Sequence, residues 1–221
     1  MTLNPSAGKW AAAAALVLIS AAANAALSVY TTAGSFAAAT LASATDTFAG
    51  IPNDNIASPS ARSAGSYAYS VSAPGGLYGS GTTANPWMST KLSGDTLTFS
   101  GFSSAVQAIG GLFFGADFAD DFLPGQTITL TATDSLGATV TRVIADATQS
   151  SFLGFTSTGS LVSLAVDVGL RSSFMAVDSV VLAQAAPIPE PETYALFLAG
   201  LGALGAALRR RKSVAGAAPA A

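Results

Sequence analysis

Between residues 26 and 183, apolar and polar positions alternate over short stretches that are separated by turn residues. Alternation with a period of two is typical of strands that bury one face and leave the other in water. The pattern predicts nine strands, at residues 45–48, 66–72, 96–99, 106–114, 127–134, 140–145, 152–156, 161–168 and 174–182. Nine short strands with turns between them predict an all-β domain over residues 26–183, an antiparallel β-sandwich of jelly-roll type.

Two of these strands alternate regularly enough to assign faces. The first has a buried face of Ile128, Leu130 and Ala132 opposite a wet face of Thr127, Thr129, Thr131 and Thr133. The second has the apolar set Val162, Leu164, Val166 and Val168. In the last predicted strand Met175 and Val177 share one face, whereas Val180 and Leu182 lie on the other. This change of face predicts a β-bulge at Asp178–Ser179.

The remaining segments of the domain lack a strand period. Residues 35–41 are predicted to form a short helix with Ser35 as its N-cap. Residues 51–62 and 80–90 are rich in Asn, Ser, Pro, Gly and Thr, which predicts loops. Trp87, inside the second loop, is interpreted either as an exposed aromatic or as a lid on the core. Residues 184–188 are predicted to be a linker.

The N-terminal segment has the pattern of a secretory signal. Lys9 precedes an apolar stretch from Trp10 to Ile19, and Ala23 and Ala25 have the spacing of a signal peptidase site. The pattern predicts a signal peptide at residues 1–25. A retained N-terminal helix is the alternative, but an apolar region of about ten residues is short for a permanent anchor.

The C-terminal segment is apolar on all sides. Residues 194–208 contain no charge, and as a helix they span about 22 Å against a hydrocarbon core of about 30 Å. Their leucines surround the helix, which favours a transmembrane helix over the alternative of a buried helix in a soluble domain. The basic block that follows acts as a stop-transfer signal and predicts a cytoplasmic tail at residues 213–221. The block is formed by Arg209, Arg210, Arg211 and Lys212.

The whole C-terminal pattern resembles a known sorting signal. The resemblance covers residues 187–212 and depends on a proline-acid-proline motif, a nearby threonine, a Gly- and Leu-rich stretch and the basic block. The motif residues are Pro189, Glu190, Pro191 and Thr193. Together they resemble the PEP-CTERM signal of Gram-negative bacteria, here at residues 189–212.

This resemblance implies a route and partners. Signal peptidase and exosortase, a membrane enzyme that cuts near the Pro-Glu-Pro, are the expected partners. The chain would pass through an inner-membrane intermediate before it reaches the cell surface or extracellular matrix, associated with exopolysaccharide or biofilm material. A permanent single-span membrane protein is the alternative.

Composition removes much of the usual catalytic chemistry. The chain has no Cys and no His, so it lacks thiolate nucleophiles, zinc-thiolate sites and the commonest general base. It contains no nucleophile elbow, phosphate loop or dinucleotide fingerprint, and we predict that it is not an enzyme. A hydrolase, the alternative, needs two Asp carboxylates that face each other. Residues 26–186 carry four basic and ten acidic residues, which speaks against nucleic-acid binding.

No cofactor is predicted, but two groups of Asp residues are weak calcium candidates. Asp117, Asp120 and Asp121 form the densest acidic cluster, and carboxylate oxygens suit Ca²⁺. The alternative is a solvated acidic loop with Phe118 and Phe122 packed inward. Asp46 and Asp178 lie in the predicted first and last strands, and residues 176–180 resemble the terminal strand of carbohydrate-binding sandwiches in which an Asp holds calcium. The acidic partner of those proteins is replaced here by Ala49.

Two further patterns indicate binding functions for the domain. The threonine row of residues 127–133 is the kind of array that ice-binding β-proteins use, although high β-propensity on a wet face explains it as well. Four loop and strand aromatics provide an alternative function, a carbohydrate- or protein-binding module. They are Tyr67, Tyr69, Tyr78 and Trp87.

Overall fold

The computed structural model describes residues 27–187 and 196–205. The predicted signal peptide with Ala23 and Ala25, the motif residues Pro189 to Thr193 and the basic block 209–212 therefore lie outside the described residues. The elements are β1 (Leu27–Tyr30), α1 (Ala33–Ala38), β2 (Thr40–Asp46), β3 (Asn55–Ile56), β4 (Ser60–Ala64), β5 (Tyr67–Ser72), β6 (Leu77–Thr82), β7 (Asn85–Thr90), β8 (Leu97–Ser100), β9 (Ala108–Ala116), β10 (Phe122–Leu123), β11 (Gln126–Asp134), β12 (Thr139–Ala147), β13 (Phe152–Ser157), β14 (Leu161–Val168) and β15 (Phe174–Ala185).

The strands form two sheets in which every paired strand is antiparallel to its neighbour. Sheet A has the order β1-β13-β9-β15-β7-β6-β3, with β10 on β9 and β2 on β15. Sheet B has the order β12-β11-β14-β8-β5-β4. The prediction of an all-β, antiparallel sandwich is confirmed, and each of the nine predicted segments overlaps a strand, although only residues 45 and 46 of the first lie in β2.

One hydrophobic core fills the space between the sheets. Sheet A contributes Phe113 and Val177 to it, and sheet B contributes Leu130, Leu164 and Phe99, all of them buried. Burial of large side chains such as these stabilises the fold by about 1.5–3 kcal/mol each. Smaller aromatic clusters lie on the outer face of sheet A.

The faces of β11 agree with the prediction, but one position of β14 does not. Ile128, Leu130 and Ala132 are buried. Val162, predicted to face the core, is 48% exposed, and Leu161 is buried in its place. The register between β11 and β14 shifts here, because Thr133 pairs with Ser163 whereas Asp134 pairs with Leu161. The extra residue in β14, Val162, therefore points to the opposite face from the one that strict alternation predicts.

The predicted bulge in β15 is confirmed, and it marks a change of partner. Ser179 has a φ of 53°, and the register with β9 shifts between Asp178 and Val181. Before the bulge β15 pairs with β7, and after it β15 pairs with β2. β15 continues to Ala185, two residues into the predicted linker.

Both predicted loops contain strands, so those predictions were wrong. Residues 80–90 form most of the β6–β7 hairpin, with Ser80 opposite Trp87. Turn-forming residues outnumber apolar ones in this segment, which favours a loop, but Gly81 uses its φ of 84° inside the hairpin. Residues 51–62 include β3 and the start of β4.

A short helix forms where one was predicted, but it covers Ala33–Ala38 rather than residues 35–41, and residues 40 and 41 belong to β2. Thr32 is the N-cap of α1, because its side-chain oxygen accepts a hydrogen bond from the Ser35 N–H at 3.1 Å. Ser35 lies inside the first turn. α1 places the buried ring of Phe36 on the outer face of sheet A, against Gly154, Tyr30 and Phe152.

Residues 196–205 are helical and lie within the predicted span 194–208. Their large apolar side chains are exposed rather than packed against the sandwich; these are Leu196, Phe197, Leu198, Leu201 and Leu204. Among residues 27–187 and 196–205, no helix has the length and apolar character required to cross a membrane.

Candidate functional site

The Asp46 carboxylate is the centre of a polar contact between the two sheets. Arg62 donates to it twice, from Nε to Oδ2 at 2.8 Å and from Nη2 to Oδ1 at 2.6 Å. The hydroxyl of Tyr69 and the N–H of Phe48 donate to the same carboxylate, both at 2.8 Å. Because Asp46 lies on β2 and its side-chain partners lie on β4 and β5, the contact joins sheet A to sheet B.

This contact is largely shielded from water. Asp46 is 6% exposed, and the Arg62 guanidinium lies 5.1 Å from the centre of the Phe48 ring. Burial and the adjacent Asp46 carboxylate raise the pKa of Tyr69, so the phenol stays protonated and donates. Both carboxylate oxygens already accept two hydrogen bonds, which leaves them little capacity to bind a metal ion or take a substrate proton.

A surface depression of about 540 Å³ lies beside this ion pair. Apart from Asp46 and Arg62, small residues line it: Thr45, Thr47, Ala49, Ala61 and Ser63. The depression offers hydroxyl groups, but its one carboxylate and its one guanidinium already neutralise each other. It therefore has the chemistry of a weak polar surface site rather than that of a catalytic cleft.

Asp178 does not join Asp46, although their strands pair as predicted. Val180, rather than Asp178, is opposite Asp46 in the β2–β15 register. The Asp46 carboxylate is bound by Arg62 and Tyr69, whereas Oδ1 of Asp178 accepts a hydrogen bond from the Ser179 hydroxyl at 3.2 Å. Burial raises the pKa of Asp178, and its hydrogen bonds with Ser179 oppose that shift.

We expect Asp178→Asn to stabilise the protein at neutral pH. The pKa of Asp178 is higher in the folded state than in the unfolded state, so folding favours the protonated acid. The stability that this group contributes is therefore fully present below its unfolded-state pKa and is lost as the pH rises through its folded-state pKa. The amide removes the cost of a buried charge and can still accept from Ser179. Thermal unfolding at pH 7 should show a higher Tm. The exposed control Asp146→Asn should not change Tm; an equal gain in both variants, or a loss in Asp178→Asn, would contradict this account.

The Asp117–Asp121 segment is a tight turn at the end of the β9–β10 hairpin. Oδ1 of Asp117 accepts the N–H groups of Ala119 and Asp121 at 2.8 and 3.0 Å. Oδ1 of Asp120 accepts the hydroxyl of Ser80 at 3.0 Å, which fixes the turn to β6. Phe122 is half-buried as expected, but Phe118, predicted to pack inward, is 92% exposed.

Beneath this turn lies an aromatic cluster on the outer face of sheet A. Trp87 is 7% exposed and contacts Phe114 edge to face, with ring centres 5.6 Å apart. Phe114 contacts Phe122 in the same way at 6.0 Å, and Phe118 lies 6.5 Å from Phe174. Trp87 is therefore neither an exposed loop residue nor a lid on the main core, but part of a separate cluster.

The aromatic residues proposed from sequence do not form an exposed platform. Tyr67 and Tyr69 are 4% and 2% exposed, and their hydroxyls are bound to the Ala42 carbonyl and to Asp46. Tyr78 is half-buried. Tyr67 and Tyr69 therefore cannot form an exposed binding surface for a sugar. Their alternating positions in β5 place both rings on the buried face of the strand.

The threonine row is wider than the sequence indicated. Across sheet B, Thr133 is in register with Thr139 and Ser163, and the row continues through Ser100 to Ser70. The hydroxyls of Thr133 and Thr139 are 3.2 Å apart, and those of Thr131 and Thr141 are 3.0 Å apart. Cross-strand hydroxyl pairs stabilise a sheet, which accounts for this face without a ligand. Ice binding stays a prediction.

The other acidic residues do not converge either. Within residues 27–187 and 196–205, no group of three or more acidic side chains is placed to hold a metal ion. Asp134, for example, uses its carboxylate to hold the β11–β12 turn through Leu136, Ala138 and Ser157. The two calcium hypotheses gain no support from these positions.

Comparison with known proteins identifies the C-terminal segment. Residues 187–212 match the family model of the PEP-CTERM protein-sorting motif, so the chain carries this motif and the resemblance seen in the sequence is confirmed. The match includes Pro189, Glu190, Pro191 and Thr193 and extends through Arg209, Arg210, Arg211 and Lys212. No curated protein matches the chain.

Solved structures align with parts of the chain at low similarity. The TmCBM61 module in complex with beta-1,4-galactotriose has a TM-score of 0.31 and 11% identity, over 52% of this chain and 88% of its own. The Clostridium thermocellum Xyn10B CBM22-1-GH10 modules, complexed with xylohexaose, have a TM-score of 0.31 and 11% identity, over 51% of this chain and 25% of their own. The CBM22-1 xylan-binding domain of Paenibacillus barcinonensis Xyn10C has a TM-score of 0.30 and 15% identity, over 65% of this chain and 94% of its own. Likenesses of this size carry no inference about ligand or activity.

Proposed function

We propose that this chain is an exported cell-surface or extracellular-matrix protein that exosortase sorts through its C-terminal motif. The observation that carries the proposal is the match of residues 187–212 to the PEP-CTERM motif. In this proposal signal peptidase removes residues 1–25, the helix of residues 194–208 holds an inner-membrane intermediate, and exosortase cuts near Pro189–Pro191. The β-sandwich is the cargo, and it associates with exopolysaccharide.

Two features of the described residues support a sorting segment that is separate from the folded β-sandwich. The leucines of residues 196–205 are exposed, so the sandwich does not use them as core, and a bilayer would accept them. β15 ends at Ala185, and one residue separates it from the start of the motif at Pro187. The motif therefore follows directly after the folded domain in the chain.

The cargo needs no catalytic centre, cofactor or metal ion in this proposal. The absence of Cys and His and the hydrogen bonds that occupy the Asp46 carboxylate support a non-enzymatic role. The net negative charge of the sandwich speaks against a nucleic-acid partner. The jelly-roll assignment also belongs to the proposal, and the pairing of β2 with the last strand, β15, supports it.

We expect Glu190→Ala to block sorting, whereas Glu192→Ala should not. The two acidic residues are separated only by Pro191, so the two variants remove the same side chain and the same charge at neighbouring positions. Only Glu190 stands inside the Pro-Glu-Pro triplet. Both variants are expressed in a host with exosortase and in its exosortase deletion strain. The measurements are the mass of the chain and its distribution between membrane and exterior.

In the exosortase-containing host, the parent chain and Glu192→Ala should lose the whole segment that follows the cut near Pro189–Pro191, residues 209–221 included, and leave the membrane fraction. Glu190→Ala should keep those residues and stay in the membrane, as should every form in the deletion strain. Release of the parent chain without exosortase, or an intact C-terminus on mature chains, would overturn the proposal. The second result would identify a permanent single-span protein.

A further inference from the structure

The last strand of the sandwich is held in place up to the residue before the sorting motif. On the β2 side, the Ala186 N–H donates to the Ala39 carbonyl at 2.9 Å. On the β9 side, the Gln107 N–H donates to the Ala183 carbonyl at 3.0 Å. The chain therefore leaves the fold at Ala186, and the match to the motif begins at Pro187.

This short connection limits how far an enzyme that acts on the motif can stay from the sandwich. Pro189 is three residues beyond Ala186, and three fully extended residues span about 11 Å at most. Packed layers of protein lie about 10 Å apart, so a cleft that surrounds residues 189–191 brings its rim to the end of the sandwich. Such an enzyme must either contact that end or pull the last residues of β15 out of the sheet.

Several chain segments lie at the same end of the sandwich as Ala186. The Ser135 N–H donates to the Ser160 carbonyl at 2.8 Å and so joins two of these segments. The Ser103 N–H donates to the Ala68 carbonyl at 2.9 Å, beside the turn between β4 and β5. We call this surface the tail-side end, and it consists of residues 37–39, 65–66, 101–107, 135–138 and 158–160 together with Ala186.

The tail-side end contains no charged residue. Asp134, which borders it, is 2% exposed, and backbone N–H groups and a hydroxyl bind its carboxylate. The centre of a protein interface is depleted of charged residues, because covering an unpaired charge costs free energy. The turns at the opposite end, by contrast, include Lys91, Asp95, Asp117, Asp120, Asp121 and Arg171. The end that the short connection brings to the enzyme is therefore also the end that a partner can cover without desolvating a charge.

Two exposed side chains flank the point where the chain leaves the fold. Leu41 is 51% exposed and is in register with Gln184, two residues before Ala186. Ser66 is exposed in the turn between β4 and β5, and this turn lies against β2, because the hydroxyl of Tyr67 donates to the Ala42 carbonyl at 2.7 Å. A protein bound to the motif would meet both positions.

We propose that the tail-side end of the sandwich is a second contact surface for exosortase, in addition to the motif. The enzyme binds Pro189–Pro191 in its active site, and the rim of that site covers the sandwich near Leu41 and Ser66. This inference rests on the proposed function, because exosortase is the enzyme to which that proposal assigns the motif. It adds that the enzyme contacts the folded domain as well as the contiguous signal.

Charges placed at the tail-side end test the contact. Cleavage of the full chain is followed by pulse-chase in the exosortase-containing host. Leu41→Asp and Ser66→Asp should each slow cleavage by about tenfold, the effect expected of an unpaired charge in an interface. Leu41→Gln is polar but uncharged, and it should slow cleavage by no more than about threefold.

The matched control is Leu92→Asp. Leu92 is 53% exposed and lies in a turn at the opposite end, so the same change is made at a similar exposure away from the proposed contact. This variant should be cleaved at the parent rate. The Tm of each purified chain in mild detergent checks that it is folded, and Ser66→Asp, in a turn, keeps the test valid if Asp at Leu41 disturbs β2.

A spacer tests whether the effect depends on the short connection. Eight Gly and Ser residues inserted between Ala186 and Pro187 add an average separation of about 16 Å. The rim of the active site then no longer has to touch the sandwich, so the spacer should restore cleavage of Leu41→Asp to within about twofold of the parent rate. It should not accelerate cleavage of the parent chain.

Four outcomes would overturn the inference. They are parent-rate cleavage of both Leu41→Asp and Ser66→Asp, an equal loss in Leu92→Asp, no recovery with the spacer, and a parent chain that the spacer makes several-fold faster to cleave. The last outcome would indicate that the enzyme pulls the end of β15 out of the sheet. A parent chain that exosortase does not cleave would contradict the proposed function as well, whereas unaffected variants of a cleaved parent contradict this inference alone.

Discussion

Replacing Asp46 with Ala should lower the free energy of unfolding by about 3 kcal/mol or more. The change leaves the Arg62 guanidinium, the Tyr69 hydroxyl and the Phe48 N–H without their acceptor, and removal of one partner from a buried ion pair costs about 3–5 kcal/mol. The lower end applies because the Arg62 side chain is 18% exposed and water can reach part of it. The effect is large because one carboxylate connects sheets A and B.

Equilibrium denaturation in urea at pH 7 measures this loss. Asp121→Ala removes an exposed carboxylate and should change the free energy by no more than about 0.5 kcal/mol. The double variant Asp46→Ala with Arg62→Met should recover part of the loss, because it removes the unpaired charge and keeps an apolar chain over Phe48. A loss below about 1 kcal/mol in Asp46→Ala would show that the pair behaves like an exposed one.

Replacing Phe36 with Ala destabilises the protein by about 3 kcal/mol, the lower end of the range for a buried ring. Phe36 is 2% exposed and holds α1 to sheet A between Tyr30 and Phe152. Its ring occupies the space left by the missing side chain of Gly154, because a Cβ there would come within 2.5 Å of Phe36 Cδ2. Gly154→Ala should therefore cost about 1–3 kcal/mol through overpacking.

The double variant distinguishes this explanation from a general effect of each change. Once Phe36 is Ala, the space beside Gly154 is empty, so adding Gly154→Ala should cost close to nothing further. Gly34→Ala is the control, because a Cβ at Gly34 meets nothing within 4 Å. Strictly additive losses in the Phe36 and Gly154 pair, measured by the same urea denaturation, would contradict the proposed contact.

The sequence predicts local features of the sandwich well where a strand has one buried and one wet face. The threonines of β11 alternate with buried residues over its whole length, and the change of face in β15 marks its bulge. The β6–β7 hairpin is not predicted, because Ser, Thr, Gly, Asn and Pro make up most of residues 80–90. The face of Val162 is predicted wrongly, because a register shift against the neighbouring strand β11 decides it. Sequence period alone does not contain that information.

The contacts around the candidate sites are less accessible to sequence reasoning. Asp46 meets Arg62 and Tyr69 across 16 and 23 positions, and nothing in the local pattern indicates either pairing. The acidic-loop alternative places Phe118 inward with Phe122, because large apolar side chains are usually buried. Only the turn geometry shows that it points to solvent. By contrast, the sorting motif is contiguous, and it could be identified from its residues alone.

The position of β15 has a consequence for biogenesis. β15 lies in the interior of sheet A and pairs with β9, β7 and β2, yet it is the last strand of the described domain to be synthesised. Sheet A cannot close until residue 185 is available, and residue 187 already belongs to the sorting motif. On the proposed export route, completion of the fold and arrival of the motif on the far side of the membrane would therefore be nearly simultaneous. A chain that stalled a few residues earlier on that route would present open strand edges, the form most prone to aggregate.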